Sequence, residues 1–229
     1  MSDKSFRNVT CETCGSMKSS LFKNICDSGV SGVNEVKTCN YFKKNQPIFG
    51  EGGIPRGVFC VNKGKVKIFT IGEEGKEQII HVAKEGEVVG FRALFSDEPY
   101  RVSATTLDES NLCFISKGDF LNLVDTNAAL RNTIMKELST ELADRATFIT
   151  NMAQKSVRER LAFSLIFLDD IYDGEMINFS REDLANFVGT ATETLIRLLK
   201  EFKTDDLIKT HARKIELLDK AAILRISGS

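Results

Sequence analysis

No stretch of this sequence is apolar enough to span a bilayer. The longest apolar run, Leu161 to Leu168, is broken by Ser164, whereas a transmembrane helix needs about 20 apolar residues in succession. The opening residues, MSDKSFRNVTCETC, also lack the apolar core of a secretory signal, so a cytoplasmic protein with no membrane partner is expected. An excess of one charge is missing too: 31 Lys and Arg stand against 32 Asp and Glu, a net charge of −1. A generally basic surface is therefore excluded, and any nucleic-acid contact has to come from a local patch. There are only two histidines, His81 and His211, far apart in the chain. No His–Cys or His–carboxylate catalytic cluster is visible, and no enzyme is expected. Six cysteines in 229 residues are too few for a disulfide scaffold, and in a reducing compartment paired disulfides are not expected. Three of the six, Cys11, Cys14 and Cys26, crowd into the first 26 residues, and that clustering calls for another account.

Between Val36 and Ile115 short β-type runs (VFCV, KVKIFTI, EQIIHVA, EVVGF, LCFI) alternate with glycine-containing breaks. Strands at such spacing with Gly turns indicate an antiparallel sandwich or barrel. After Asp125 glycine disappears for almost fifty residues, and Leu130, Ile134, Leu138, Leu142, Ile149 and Met152 recur at spacings of 3, 4 and 7. This describes a long helix with a narrow apolar seam, suited to an identical partner helix. Arg145 lies close to that seam. The alternative is a helix packed against its own β-domain.

A further helical run from Ser156 to Ile171 leads to Ser180, an N-cap followed by Glu182 and Asp183 in the first turn. The helix that starts near Arg181 stops at Gly189. Thr190 then opens another, with Glu193 placed to complete a capping box. Helix, Gly turn and helix make a helix-turn-helix. Leu195, Leu198, Leu199 and Phe202 commit one face of the second helix to a core, which turns Thr192, Glu193, Ile196 and Arg197 outward. Glu193 and Arg197, one turn apart, suit base edges in a major groove. The following segment, Leu207 to Leu217, reads as a hairpin or wing with Arg213 and Lys214 at its tip. From Arg197 to Lys214 there are six basic against three acidic residues, the local patch that the composition required. Thr190, Thr192, Glu193, Ile196, Arg197, Lys200, Arg213 and Lys214 are thus the candidate DNA-binding residues.

The order β-roll, long helix and terminal helix-turn-helix resembles the Crp/Fnr transcription regulators along essentially the whole chain. The segment SREDLANFVGTATETLIRLLKEF, Ser180 to Phe202, is similar to that family's DNA-binding motif, including the turn glycine and the E-x-x-x-R of the recognition helix. The resemblance implies an α+β chain with four parts: a cysteine-containing segment over 1–30, a cyclic-nucleotide-binding-like jelly roll over 31–125, a dimerisation helix over 126–154 and a winged helix-turn-helix over 155–229. It further implies a homodimer on double-stranded DNA with palindromic half-sites, Glu193 and Arg197 reading a TGA-type core, and RNA polymerase as a partner.

By the same resemblance an effector pocket would involve Phe91, Arg92, Tyr100 and Arg101. Members that bind cyclic AMP carry a Gly-Glu-Leu turn and a later Arg-Ser pair. Here Phe91 stands in place of the ribose-binding Glu, and Tyr100 takes the Arg position in the ungapped register, with Arg101 one residue on. Cyclic AMP is therefore not expected. The Gly90-Phe91 turn is similar instead to the Fnr branch, which holds a [4Fe-4S] cluster on N-terminal cysteines plus one cysteine of the β-roll. Cys11 and Cys14 match the N-terminal C-x-x-C, and Cys113 in ESNLCFIS matches the distant ligand. The third N-terminal cysteine would fall at Ser20, and Cys26 follows six residues later, a difference that a loop absorbs at little cost. The implied set is Cys11, Cys14, Cys26 and Cys113, holding one cluster per protomer. Cys60, within VFCV, reads as a core thiol, and Cys39 carries no argument. The same regulator without a cluster, answering to a small ligand or to thiol oxidation, and a signalling module acting through protein contacts, both remain open.

Overall fold

The computed structural model describes residues 9–23 and 27–228. The chain forms two compact units, one of the residues up to Thr70 with His81–Glu141, the other of Ile71–Ile80 with the residues from Leu142 onward.

The Gly-punctuated runs become eight strands, which lie in the first unit except for Ile71 and residues 77–80: β1 (Lys37–Phe42), β2 (Pro47–Phe49), β3 (Gly57–Lys63), β4 (Val66–Ile71), β5 (Glu77–Ala83), β6 (Val88–Val89), β7 (Ser103–Thr106) and β8 (Ser110–Ser116). Two four-stranded sheets result, β1-β8-β3-β6 and β2-β7-β4-β5, the β-roll that the spacing predicts. Residues directly opposite across antiparallel strands share a face, and the face alternates along each strand. Val58 and Cys60 of β3, paired with Ile115 and Cys113 of β8, therefore share one face. Val61 and its partner Leu112 share the other and are fully buried. Over the first face pack Cys11, Leu21 and Phe22, then Val33 of α1 (Asp27–Val36), Phe91 and Leu94 of α2 (Phe91–Ser96), Phe120 and Val124 of α3 (Lys117–Thr126), and Leu130 and Ile134. Gly57 is required where β3 approaches β8, because a Cβ there would meet the Ile115 carbonyl oxygen at 2.1 Å.

The long helix is α4 (Ala128–Gln154), and its apolar row is covered by its own unit at one end and exposed further along. Leu130 and Ile134 are core residues of the first unit, and Leu138 packs against the same core. The domain-packed alternative holds for this half, because α4 starts directly above the sheet face that needs covering. Outward stand Met135, Leu142 and Ile149, 62%, 74% and 66% exposed, seven residues apart. Met152 turns to Gly189, where an added Cβ would lie 3.2 Å from its sulfur. Arg145 donates to the Ile80 carbonyl at 2.6 Å, so its guanidinium is held by its own chain.

In the second unit α5 (Val157–Ile171) begins with a full capping box, Ser156 accepting from the Glu159 amide while the Glu159 carboxylate accepts from the Ser156 amide. There follow β9 (Ile177–Asn178), α6 (Arg181–Val188), α7 (Thr192–Thr204), β10 (Ile208–His211), β11 (Lys214–Leu217) and α8 (Lys220–Ser227). The wing is a three-stranded sheet in the order β10-β11-β9. Among the described residues no helix is long and apolar enough to cross a membrane.

Candidate functional site

Ser180 caps α6 by accepting from the Asp183 amide, and Gly189 ends it at φ +73°, in the left-handed region that favours glycine. One helix start differs from expectation. The N-cap of α7 is Ala191, with no side-chain cap, so Thr190 and Glu193 form no capping box. Thr190 is buried, and its carbonyl accepts from Lys76 Nζ at 2.9 Å. The hairpin of β4 and β5 adds a second tie, Gln78 Nε2 donating to the Asn186 carbonyl at 2.7 Å. The turn is therefore clamped through main-chain groups, which composition does not disclose.

Leu195, Leu198, Leu199 and Phe202 are buried as their spacing predicts. Glu193, Ile196, Arg197 and Lys200 are exposed, and Thr192 partly so. Arg197 pairs with Glu201 at 2.9 Å, one turn onward rather than back to Glu193. Both wing-tip candidates, Arg213 and Lys214, are exposed. Sequence reasoning missed two arginines that hold this unit together. Arg160 donates to the Val188, Gly189 and Lys155 carbonyls at 3.0, 3.1 and 3.0 Å, covering the C-terminal end of α6, where a cation is favoured. Arg158 reaches Glu201 and Asp205 and lies 4.8 Å over the Phe202 ring. Only their position opposite an apolar helix face could have hinted at either role.

In the β-roll, Arg92, Tyr100 and Arg101 line one cavity together with Phe49, Ile68 and Gly90. Phe91, expected there, is instead a core residue. Tyr100 stacks on Phe49 at 4.0 Å, and burial pushes its hydroxyl pKa up. Arg92 pairs with Glu141 and Arg101 with Glu98.

The cysteines converge more than their spacing shows. Contrary to the expectation of unpaired thiols, Cys39 and Cys113 form a disulfide. They are direct cross-strand partners of β1 and β8, and such register exists only once the sheet has formed. Cys11, Cys14 and Cys60 keep their thiols, and all three line a second cavity with Cys113, Lys37, Ser20 and Ile115. Asn62 Nδ2 donates to Cys14 Sγ at 3.1 Å, and Asn111 Nδ2 holds the Asn62 amide oxygen at 3.1 Å. Burial pushes the Cys60 thiol up to about 12, with Cys14 and Cys11 adding to the rise and Lys37 opposing it. Cys11 is raised chiefly by burial as well. Cys26 lies outside the described residues. Among the described residues no three or more Cys, His, Asp or Glu side chains stand as a metal site, and Cys113 cannot offer a thiolate while it is bonded to Cys39. Once that bond is reduced, the donor set of soft sulfurs in one mostly apolar cavity, with a cation and an amide donor beside it, fits a thiolate-bound cluster.

An exposed helix behind a glycine turn, flanked by a basic-tipped β-hairpin, is a winged helix-turn-helix module of the DNA-binding type. Known proteins carry this further. A cyclic nucleotide-binding domain model matches residues 39–127 and a Crp-like helix-turn-helix domain model matches 159–226. The chain is 28% identical over 193 residues to the fumarate and nitrate reduction regulatory protein of Vibrio cholerae, covering 81% of this chain and 77% of that one. It is 26% identical over 226 residues to the transcriptional activator protein anr of Pseudomonas aeruginosa, covering 95% and 92%. In fold it is similar to FixK2 from Bradyrhizobium japonicum, with a TM-score of 0.74 at 20% identity over 85% of this chain and 98% of that one. The chain belongs to the Crp/Fnr family of DNA-binding transcription regulators.

Proposed function

We propose that the protein acts as a cytoplasmic homodimer on duplex DNA with palindromic half-sites, controlling RNA polymerase, and that its N-terminal unit senses oxygen or redox state. The observation that carries the DNA reading is the division of α7 between four buried apolar residues and the exposed row Glu193, Ile196, Arg197 and Lys200. Glu193 accepts from a cytosine amine and Arg197 donates twice to a guanine edge, while Thr192 adjusts the fit. Lys200, Arg213 and Lys214 lie against phosphates, and Thr190 contributes through the turn. Replacing Arg197 by Ala should weaken specific binding by about 1–3 kcal/mol and relax preference at one base position. Binding measured against salt and against single-base variants of a selected site tests this; an unchanged base preference would remove Arg197 from the assignment.

Dimerisation is supported by the exposed heptad of Met135, Leu142 and Ile149, since such a row asks for a matching helix. Only a dimer sets two recognition helices about one DNA turn apart. A change in the cysteine region is passed to Leu130, Ile134 and Leu138, which share a core with Cys11, and so alters the pose of α4. A [4Fe-4S] cluster, when bound, supplies a group that oxygen destroys. Relatives named for fumarate and nitrate reduction and for anaerobic regulation support this sensing role. The chain's own residues hold it through Cys11, Cys14 and Cys113, with the Asn62 amide beside Cys14 and the Lys37 ammonium offsetting thiolate charge. Cyclic AMP is not the effector in this reading, because Phe91, a core residue here, stands where a ribose-binding Glu would be needed. A second reading, thiol oxidation without a cluster, is favoured by the Cys39–Cys113 disulfide. Neither reading assigns catalysis.

A further inference from the structure

We infer that Cys60, and not Cys26, completes a four-thiolate site with Cys11, Cys14 and Cys113. The inference rests on the thiol-bound cluster proposed above and names its fourth ligand. Cys113 sits in the middle strand of three. Cys39 of β1 is its partner on one side and Cys60 of β3 its partner on the other. Direct antiparallel partners carry their Cβ atoms about 4.5–5.5 Å apart on the same face. Cys60 is therefore delivered to Cys113 by the strand pairing itself, with no loop to order.

The segment bearing Cys11 and Cys14 is tied down over that row. The Cys11 amide donates to Asn34 Oδ1 at 3.0 Å, Ser16 Oγ to the Asn62 carbonyl at 2.8 Å, and Lys37 Nζ to the Val9 carbonyl. Asn62 follows Cys60 by two residues on β3, and Asn111 precedes Cys113 by two on β8. The two strands that supply Cys60 and Cys113 thus also supply the amide pair that orients the Cys14 sulfur, the kind of support metal ligands receive from their surroundings.

Ser20 gives the independent argument. It stands where the third N-terminal cysteine of the Fnr pattern would fall, and it is buried in a structural role, Oγ donating to the Met17 carbonyl at 2.9 Å and accepting from the Phe22 amide at 3.1 Å. Ser20 and Cys60 line the same cavity. The sulfur missing at position 20 is thereby supplied by another residue of the same cavity. Formation of the site requires the Cys39–Cys113 bond to open. A dithiol reductant donates two electrons and two protons, giving two thiols and its own disulfide. The Cys11, Cys14, Cys60 and Cys113 thiols then lose their protons to solvent as they bind iron, while Cys39 remains outside the set.

The test is anaerobic reconstitution of the full chain with ferrous iron, sulfide and excess dithiol, followed by iron and sulfide per protomer and the visible spectrum. Circular dichroism confirms the fold of each variant. Wild type should take up about four of each. Cys60→Ala should lower uptake about tenfold or more, while Cys26→Ser and Cys39→Ser should match wild type. Adding Ser20→Cys to Cys60→Ala should restore uptake and the spectrum, a rescue that a merely structural role for Cys60 would not produce. Full loading of Cys60→Ala, loss of loading in Cys26→Ser, or a folded but empty double variant would overturn the inference and leave cluster sensing standing. An empty wild type under these conditions would overturn both.

Discussion

Arg160 satisfies two carbonyls at the end of α6 and the Lys155 carbonyl ahead of α5, and bonds of this kind to a charged donor contribute more than neutral ones. Arg160→Ala should destabilise the C-terminal unit by on the order of 2 kcal/mol, read from its denaturant midpoint, with no change in which bases the bound protein prefers. At the start of α5, the hydrogen bonds of Ser156 hold the Glu159 carboxyl below its ordinary value of 4.5. A lowered carboxyl pKa stabilises the fold above that ordinary value, and the contribution is lost as pH falls through the lowered one. In Ser156→Ala the Glu159 titration, followed by NMR, should move back up toward 4.5, and the acid-side loss of helix stability should shrink; an unmoved titration would show that the cap is not its cause.

At the scale of elements, α4 divides its work along its length. Leu130 is fully buried and Leu142 is 74% exposed, although both fit the same apolar spacing. Leu130→Ala should cost the N-terminal unit about 2–5 kcal/mol, as large-to-small core changes do. Leu142→Asp should leave that unit as stable as wild type and shift sedimentation toward monomer, with DNA affinity falling in step. A dimer unaffected by Leu142→Asp would mean that the exposed heptad is not the seam. Periodicity alone could not separate these outcomes, because it marks apolar positions without saying which neighbour covers them.

The Cys39–Cys113 bond acts on the whole chain, since it closes 74 residues of sequence separation. Restricting the unfolded chain to a loop of that length stabilises the fold by about 4 kcal/mol in the loop-entropy account. Added reductant should therefore lower the denaturant midpoint of the N-terminal unit, Cys39→Ser should reproduce the lower value, and reductant should have no further effect on that variant. Equal midpoints with and without reductant would show that the bond does not form in solution.

Much of the molecule was legible in local pattern. Gly-broken apolar runs announced the β-roll, and Ser180, Gly189 and the i, i+3, i+4, i+7 row from Leu195 to Phe202 announced the helix-turn-helix, because caps and amphipathic periods are settled within a few residues. The outward row of Glu193, Ile196 and Arg197 followed from the same periodicity. What needed the tertiary structure was everything set by residues distant in sequence. Burial of Thr190 depends on a hairpin more than a hundred residues earlier, and the split seam of α4 depends on which sheet face lies beneath it. The disulfide, and the approach of Cys60 to Cys113, depend on strand register. Register is decided by pairing across the whole sheet and a one-residue slip would turn each cysteine to the other face, so no spacing along the chain could reveal which sulfurs meet.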